Sequence, residues 1–439
     1  MSKKFREWTV DQAYLFPPRV SEFVPAGHMA HFVRNFVKEE LDLRKITRAY
    51  DREGAPAFHP AMMTALVMYG YCHGVRSSRK LSQACEERVD FMAVTGMQKP
   101  NFRTICLFRT RHRVALEGLF GQVLELCSEA GLVKLGHVAL DGTKIKANAA
   151  KDRGLQYIKI VKESKKIKEE IKKWFDEAEK LDAQEDEQFG KDLRGDELPD
   201  WVKDDQERRK RLEAARKELE AKHEESEEKR EKQEKAGKKP PSHKSAEDRG
   251  IDKKRYNFTD PDSVLMKTSE GIQQAYNAQC AVDASSQVIV ACAITNEGND
   301  YDQLMPMLKL IEKNVGRKPK EISADAGYSC ATNLADLERY GVRGYIAPQN
   351  QLPGDLSGRS KRKIKTGTLA WKMEQRLRKA GKRSRYRLRG QTVEPVFGII
   401  KAVRGLRQFL LRGIKKVGLE WRLMCTVNNL LKLKAARTA

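Results

Sequence analysis

The sequence predicts a mixed-sheet α/β unit that follows an all-α N-terminal region and is interrupted by a charged, coiled-coil-like helical insertion. Three observations support this. From His137 onward, apolar-rich runs of strand length alternate with helical runs, the pattern of a sheet flanked by helices. Before His137 the periodicity is helical. Between about Leu155 and Gly250, Lys, Glu, Asp and Arg dominate, and apolar residues are too sparse to join a common core. With 439 residues, 40% of them hydrophobic, the chain has material for two or three domains.

Residues 1 to about 55 mix Pro17, Pro18, Gly27 and Gly54 with short amphipathic pieces, and Ala30 to Leu43 is predicted as a helix. A helical block follows from His59 to Gly131. Pro60 suits a helix start, and the apolar run Met62 to Tyr71 ends near Gly74. Ser77 to Glu87 is a short polar helix. Asn101 caps a helix running from Phe102 to about Arg113, with Ile105 and Phe108 spaced for packing and Arg103, Arg109, Arg111 and Arg113 expected to reach solvent. Short helices ending in an arginine-rich one fit a helix-turn-helix that reads a major groove, and equally fit a helical bundle with a charged face.

His137 to Ala147 reads as a strand with Asp141 near its middle or end. Gln274 to Asp283 and Gln287 to Thr295 form a hairpin around Ala284-Ser285-Ser286. A helix from Asp302 to about Lys313 follows, then a strand, Lys320 to Ala324, running into Asp325. A helix from Thr332 to Tyr340 closes at Gly341, and Gly344 to Ala347 is a fifth strand. The insertion is expected to be two antiparallel helices, Tyr157 to Lys191 and Leu198 to Lys235, forming a protruding spacer or dimerisation arm. Near the C-terminus, Thr392 is expected to cap a helix whose Val393, Val396, Phe397, Ile400 and Val403 share one face. Glu394, Gly398 and Lys401 fall together on the adjacent side. The resulting divisions are 1–131 helical, 132–154 with 251–403 α/β, 155–250 the insertion, and 404–439 a basic helical segment.

Charge is concentrated. Of a net +24, Gln351 to Arg389 carries fourteen Lys or Arg against two acids, and Gly390 to Ala439 ten against two. Such a localised positive field is the footprint of a nucleic-acid site. Lys382, Arg383 and Arg385 lie in its densest part and are expected to track a DNA backbone, as Arg103 and Arg109 would from the N-terminal region. Trp371, Leu377, Tyr386 and Leu388 punctuate the run, which argues for a docked segment. The eight cysteines contain no CxxC pair, so they read as buried thiols of a reducing compartment. No run of eighteen apolar residues occurs and Met1 to Phe5 opens no leader, so a soluble protein with no membrane partner is expected.

Asp141, Asp325 and Glu394 stand at strand or helix positions where a mixed sheet can bring them together. Phosphoryl transfer on DNA commonly uses two divalent ions about 3.5–4 Å apart, held by carboxylates. Magnesium suits such a set, with two or three convergent acids sufficing and waters completing its shell. The expectation is two Mg²⁺ ions on Asp141, Asp325 and Glu394, with Mn²⁺ able to substitute.

These residues resemble, in combination, the DDE transposases of bacterial insertion sequences. The matching blocks are Leu140-Asp141-Gly142-Thr143-Lys144, Ala275-Tyr276-Asn277-Ala278-Gln279, Ser323-Ala324-Asp325-Ala326-Gly327-Tyr328, Thr392-Val393-Glu394-Pro395-Val396-Phe397-Gly398 and Arg404 to Gly413. Phe58 to His112 is similar to a helical domain often found upstream. The resemblance implies a ribonuclease-H-like catalytic domain that cuts DNA at the terminal inverted repeats of its element. It also implies joining of the ends to target DNA without a covalent protein–DNA intermediate. A family signature of Tyr, Arg, Glu and Lys is carried by Tyr386, Arg389, Glu394 and Lys401, with four residues rather than three between Arg389 and Glu394. It implies phosphate contacts from Arg389 and Lys401 and positioning of the DNA by Tyr386. A homodimer also comes from the resemblance, and a cytoplasmic, nucleoid-associated location is expected. The alternatives are a nuclease that hydrolyses but never joins, and a catalytically inert DNA-binding relative.

Overall fold

The computed structural model describes residues 19–50, 56–189, 200–235, 250–348, 364–380 and 385–438. Seven helices come first: α1 (Met29–Glu39), α2 (Arg44–Thr47), α3 (Pro60–Cys72), α4 (Ser78–Glu87), α5 (Val89–Thr95), α6 (Phe102–Arg111) and α7 (Arg113–Glu129). Their starts follow from local chemistry. His28 Nδ1 accepts the Ala30 N–H at 3.3 Å, Pro60 opens α3, and Asn101 Oδ1 accepts the Thr104 N–H at 2.8 Å. The helix expected from Ala30 to Leu43 is shorter, ending at Glu39 before the single turn of α2. Helix α3 buries Met63 through Tyr71 without a break, which marks a helix enclosed on all sides.

The chain then enters the sheet with β1 (His137–Lys146), leaves it through β2 (Gly154–Gln156), α8 (Tyr157–Phe189) and α9 (Asp200–Lys235), and returns by β3 (Arg255–Asn257). The remaining elements are β4 (Val264–Thr268), β5 (Gly271–Asp283), β6 (Ile289–Thr295), α10 (Leu304–Val315), β7 (Glu321–Ala324), α11 (Ala331–Tyr340), β8 (Arg343–Ile346), α12 (Leu369–Ala380), α13 (Leu388–Gly398) and α14 (Ile414–Thr438). Strand β1 is central. It pairs antiparallel with β5 from Val138↔Asp283 to Lys146↔Ala275, and parallel with β7, which is parallel to β8. Strands β4 and β6 pair with successive stretches of β5. The sheet is therefore mixed, as expected, with β4 as an additional sixth strand. Only Met266 of β4 is fully buried, and its apolar run, Val264-Leu265-Met266, is too short to announce a strand.

Helices α8 and α9 pack on each other through Ile160, Ile167, Ile171, Leu212, Ala215 and Leu219, a cluster separate from the main core. The pair β2–β3 closes the base of this arm, where the Tyr157 N–H donates to Lys254 O at 2.8 Å. The main core runs from Val24 in the N-terminal region through the sheet to Leu433 in α14. Helix α14 is its centre: Trp421 Nε1 donates to Gln279 O at 3.2 Å, and the Asn429 side chain both accepts from Ile289 N and donates to Ile289 O, each at 2.8 Å. The C-terminal basic segment is thus sunk into the core, with Arg404 buried there and donating to Asn428 Oδ1 at 3.1 Å. A buried pair between Arg76 and Glu420 fastens it to the N-terminal helices. No described helix is long and apolar enough to cross a membrane.

Candidate active site

Two strands bring the first pair of acids together. The parallel register of β1 and β7, His137↔Glu321 to Ala139↔Ser323, carried two residues on sets Asp141 beside Asp325. Asp141 Oδ1 accepts its neighbour Gly142 N–H at 2.9 Å. Asp325 leaves β7 and caps a single 3-10 turn, accepting the Gly327 N–H at 2.9 Å. Both side chains are largely buried. Burial pushes the Asp141 carboxyl up to about 7, with Asp325 and Asp300 adding to the rise while Arg389 and the Gly142 N–H oppose it. Burial also raises Asp325, against the pull of Arg389. Two carboxylates are therefore crowded into one poorly solvated place, which is costly unless positive charge is supplied.

Helix α13 supplies part of it. Arg389 Nη1 reaches Asp141 Oδ2 at 2.5 Å, and Nη2 reaches Glu394 Oε1 at 3.4 Å. Glu394 itself is 60% exposed. The helix does not start at a Thr392 cap as the sequence suggested. It starts at Leu388, leaving Thr392 buried within it and Pro395 in its interior. An interior proline frees the carbonyl four residues back, a cost that normally stops a helix. Here that carbonyl, Gln391 O, accepts from Gln287 Nε2 at 3.0 Å. Gln287 holds a left-handed turn position (φ 59°) at the β5–β6 hairpin, so a tertiary contact pays for the proline. Ile399–Val403 then continues as a π turn carrying Lys401. Burial lowers the Lys401 ammonium while Asp141 supports its charge.

Residues 18–111 match the family described as a transposase domain (DUF772), and residues 357–434 match the transposase DDE domain. The second match spans Arg389, Glu394 and Lys401. No curated protein and no solved structure matches. The two matches, both to transposase domains, support a DDE transposase of an insertion sequence.

Around Asp141 and Asp325 the transposase holds further groups that the sequence reading left without a role. Asp300, before α10, accepts from Asn277 Nδ2 and Gln279 Nε2, both at 2.6 Å, and from Lys144 Nζ at 3.3 Å. Gln279 Oε1 also accepts from the Tyr328 hydroxyl. The available signal was the alternation Asn277-Ala278-Gln279, two polar residues on one face of a central strand. Asn299-Asp300 itself has the composition of an ordinary turn.

Several expected DNA contacts of the transposase are placed otherwise. Arg109 is 4% exposed; Nη1 donates to Arg76 O at 2.8 Å and Nη2 to the Tyr71 hydroxyl at 3.0 Å, so its charge is spent inside the helical region. Arg103, from the same helix, stays exposed beside the Phe102 ring. Tyr386 is 5% exposed, packed with Tyr345, Ala347 and Leu377, so its ring supports the segment from within. Arg385 lies 3.5 Å from Glu321 and keeps 56% of its side chain exposed. Lys382 and Arg383 lie outside the described residues.

The oxygen-only donors Asp141, Asp325 and Glu394 suit a hard divalent cation, and the crowding of the two aspartates is the kind of strain such a cation relieves. Among the described residues, however, no group of three or more His, Cys, Asp or Glu side chains is close enough to hold a metal. Arg389 stands between Asp141 and Glu394 instead.

Proposed function

We propose that this transposase cuts DNA at the terminal inverted repeats of its element and joins the freed 3′ ends to target DNA, on a ribonuclease-H-like sheet. The observation that carries the reading is the pairing of Asp141 with Asp325 from strands distant in sequence, under a helix that presents Arg389 and Glu394 to them. The strand arrangement supports the fold assignment: an antiparallel run, then the acid-bearing β1, then two parallel strands. Asp141, Asp325 and Glu394 would hold divalent cations, Mg²⁺ or Mn²⁺, which when bound supply charge neutralisation and an activated oxygen for phosphoryl transfer. Arg389 and Lys401 bind the phosphates of the cleaved end, and the shift of Arg389 from Asp141 to a phosphate frees that carboxylate. Buried β7 and β1 keep the two aspartates in place and limit water around the scissile phosphate. Arg103 and the exposed cations near α12 and α13 add sequence-independent hold on DNA, and two copies of the chain pair the two ends. The helical N-terminal region, the α/β domain, the arm at 155–250 and the 404–439 segment would serve these roles as separate parts.

The test is an end-cleavage and strand-transfer assay on DNA carrying the element's ends. Asp141→Asn, Asp325→Asn and Glu394→Gln should each lower both steps by at least about a thousandfold, with double variants hardly worse. DNA binding in a gel-shift assay should survive. Glu394→Gln protein that still cuts at near wild-type rate would overturn the site. Cleavage without joining would leave a nuclease.

A further inference from the structure

A third carboxylate is built into the space around Asp141 and Asp325. Asn277 and Gln279 lie two apart on β5, opposite Lys144 and Gly142 of β1, so these four positions share a face of the sheet. The two amides hold Asp300 Oδ1, and Lys144 Nζ stands 3.3 Å from both Asp300 oxygens. Two glycines admit it. A Cβ at Gly142 would come 2.7 Å from Asp300 Oδ1; a Cβ at Gly327 would lie 3.3 Å from Asp300 Oδ2 and 2.9 Å from Asp325 Oδ1. Each glycine follows one of the two paired aspartates, by one residue or two. Asp300 thus approaches the very backbone that carries Asp141 and Asp325.

The consequence concerns Lys144. Its ammonium sits on a flexible four-carbon stem three residues along β1 from Asp141, and near enough to Asp325 to act on that carboxyl. Free to turn, it would pair with Asp325 and compete with a divalent cation for it, whereas Asp141, an odd number of residues away on the same strand, leaves the other face. We propose that Asp300 is a positioning residue of the metal centre: it holds Lys144 away from Asp325 and so keeps that carboxylate open to the cation. The amides of Asn277 and Gln279 do the complementary job, fixing Asp300 so that it stays where Lys144 can reach it. The inference rests on Asp141 and Asp325 being the metal-holding pair.

Mn²⁺ binding to the DNA-free full-length protein, followed by electron paramagnetic resonance, tests it. Asp300→Asn keeps the shape and an acceptor for both amides but loses the charge that retains Lys144. Its Mn²⁺ affinity should fall about tenfold, the scale of one unit charge redirected at short range. The same substitution on a Lys144→Gln background should change affinity by less than about threefold, because no ammonium remains to be held. Lys144→Gln alone should bind Mn²⁺ at least as tightly as wild type. That variant decides the matter even if Asp300→Asn proves unable to fold, which thermal unfolding reports. Unchanged affinity in Asp300→Asn, an equal loss on the Lys144→Gln background, or weaker binding in Lys144→Gln would each overturn the positioning role. Asp141→Asn serves as the separate control. If it also leaves Mn²⁺ affinity untouched, the metal-holding pair itself is misassigned; if it abolishes binding while Asp300→Asn does not alter it, only the role of Asp300 falls.

Discussion

Arg76–Glu420 is a buried and Arg389–Asp141 a part-buried arginine–carboxylate pair, and their surroundings differ in kind. Glu420 also accepts the Leu410 and Leu411 N–H groups at 2.9 and 3.1 Å, while Arg76 donates to Gln408 O and Gly405 O, both at 3.1 Å. Each charge there meets a complementary partner, and the network joins the N-terminal helices to α14. Arg389 is shared between Asp141 and Glu394, while Asp325 and Asp300 press on Asp141. The first pair has both terminal guanidinium nitrogens and both carboxylate oxygens satisfied, with only Arg76 Nε left without a partner, and acts as a fastener. The second retains surplus negative charge in a buried place, the arrangement expected where a cation or a phosphate is to be handled.

The largest expected effect breaks the fastener. Arg76→Met leaves Glu420 buried without its counter-ion and should cost about 3–5 kcal/mol of unfolding free energy. Denaturant unfolding measures it, and a loss below about 1 kcal/mol would erase the contrast between the two pairs.

Neutralising the other carboxylate should act in the opposite direction. Because the folded-state pKa of Asp141 is raised from 3.8 to about 7, its contribution to stability is complete below pH 4 and is lost as pH rises through 7. Asp141→Asn should therefore be more stable than wild type at pH 8, by on the order of 1–3 kcal/mol, and the gain should vanish near pH 4. Thermal unfolding across that range checks both sign and window; destabilisation at pH 8 would mean the site is as saturated as the fastener.

A finer effect sharpens the comparison. Arg389 opposes the rise of the Asp141 pKa, so Arg389→Gln should move the Asp141 titration further upward. The pH dependence of the stability difference between Arg389→Gln and Arg389→Gln/Asp141→Asn reports it. A downward shift would show that the guanidinium is not the counter-ion of Asp141.

The smallest effect is expected where neither pair is involved. The arm has its own apolar cluster and its ends meet at Tyr157 and Lys254, so residues 158–249 can be replaced by a short Gly/Ser linker. The remainder should keep a cooperative transition, within about 1 kcal/mol of the intact chain. Loss of folding would show that the arm belongs to the same structural unit as the fastener.

Much of this was legible beforehand because it is local. The helical region, the positions of β1, β5, β6, β7 and β8 and the existence of the arm follow from periodicity and composition, which each segment carries in itself. Asp141 and Asp325 could be singled out because acids at the ends of apolar strands are visible one at a time. The short edge strand β4 and the pair β2–β3 were not visible, since a few residues of mixed polarity acquire strand geometry only from their partners.

Pairing at a distance was decided only by the folded chain. Arg103 and Arg109 share a helix and a sequence character, yet one faces solvent and the other is consumed by Arg76 and Tyr71. The start of α13 at Leu388 depends on Gln287, more than a hundred residues earlier, accepting responsibility for the carbonyl that Pro395 leaves free. Asp300 enters the site because Gly142, within β1, and Gly327, in the turn after β7, lack the atom that would exclude it. Residue type and spacing determine what a segment can form, since backbone and neighbouring side chains set that energy. Which charge meets which, and how much water remains between them, is settled by elements packed from far along the chain, and that is where the chemistry of this transposase resides.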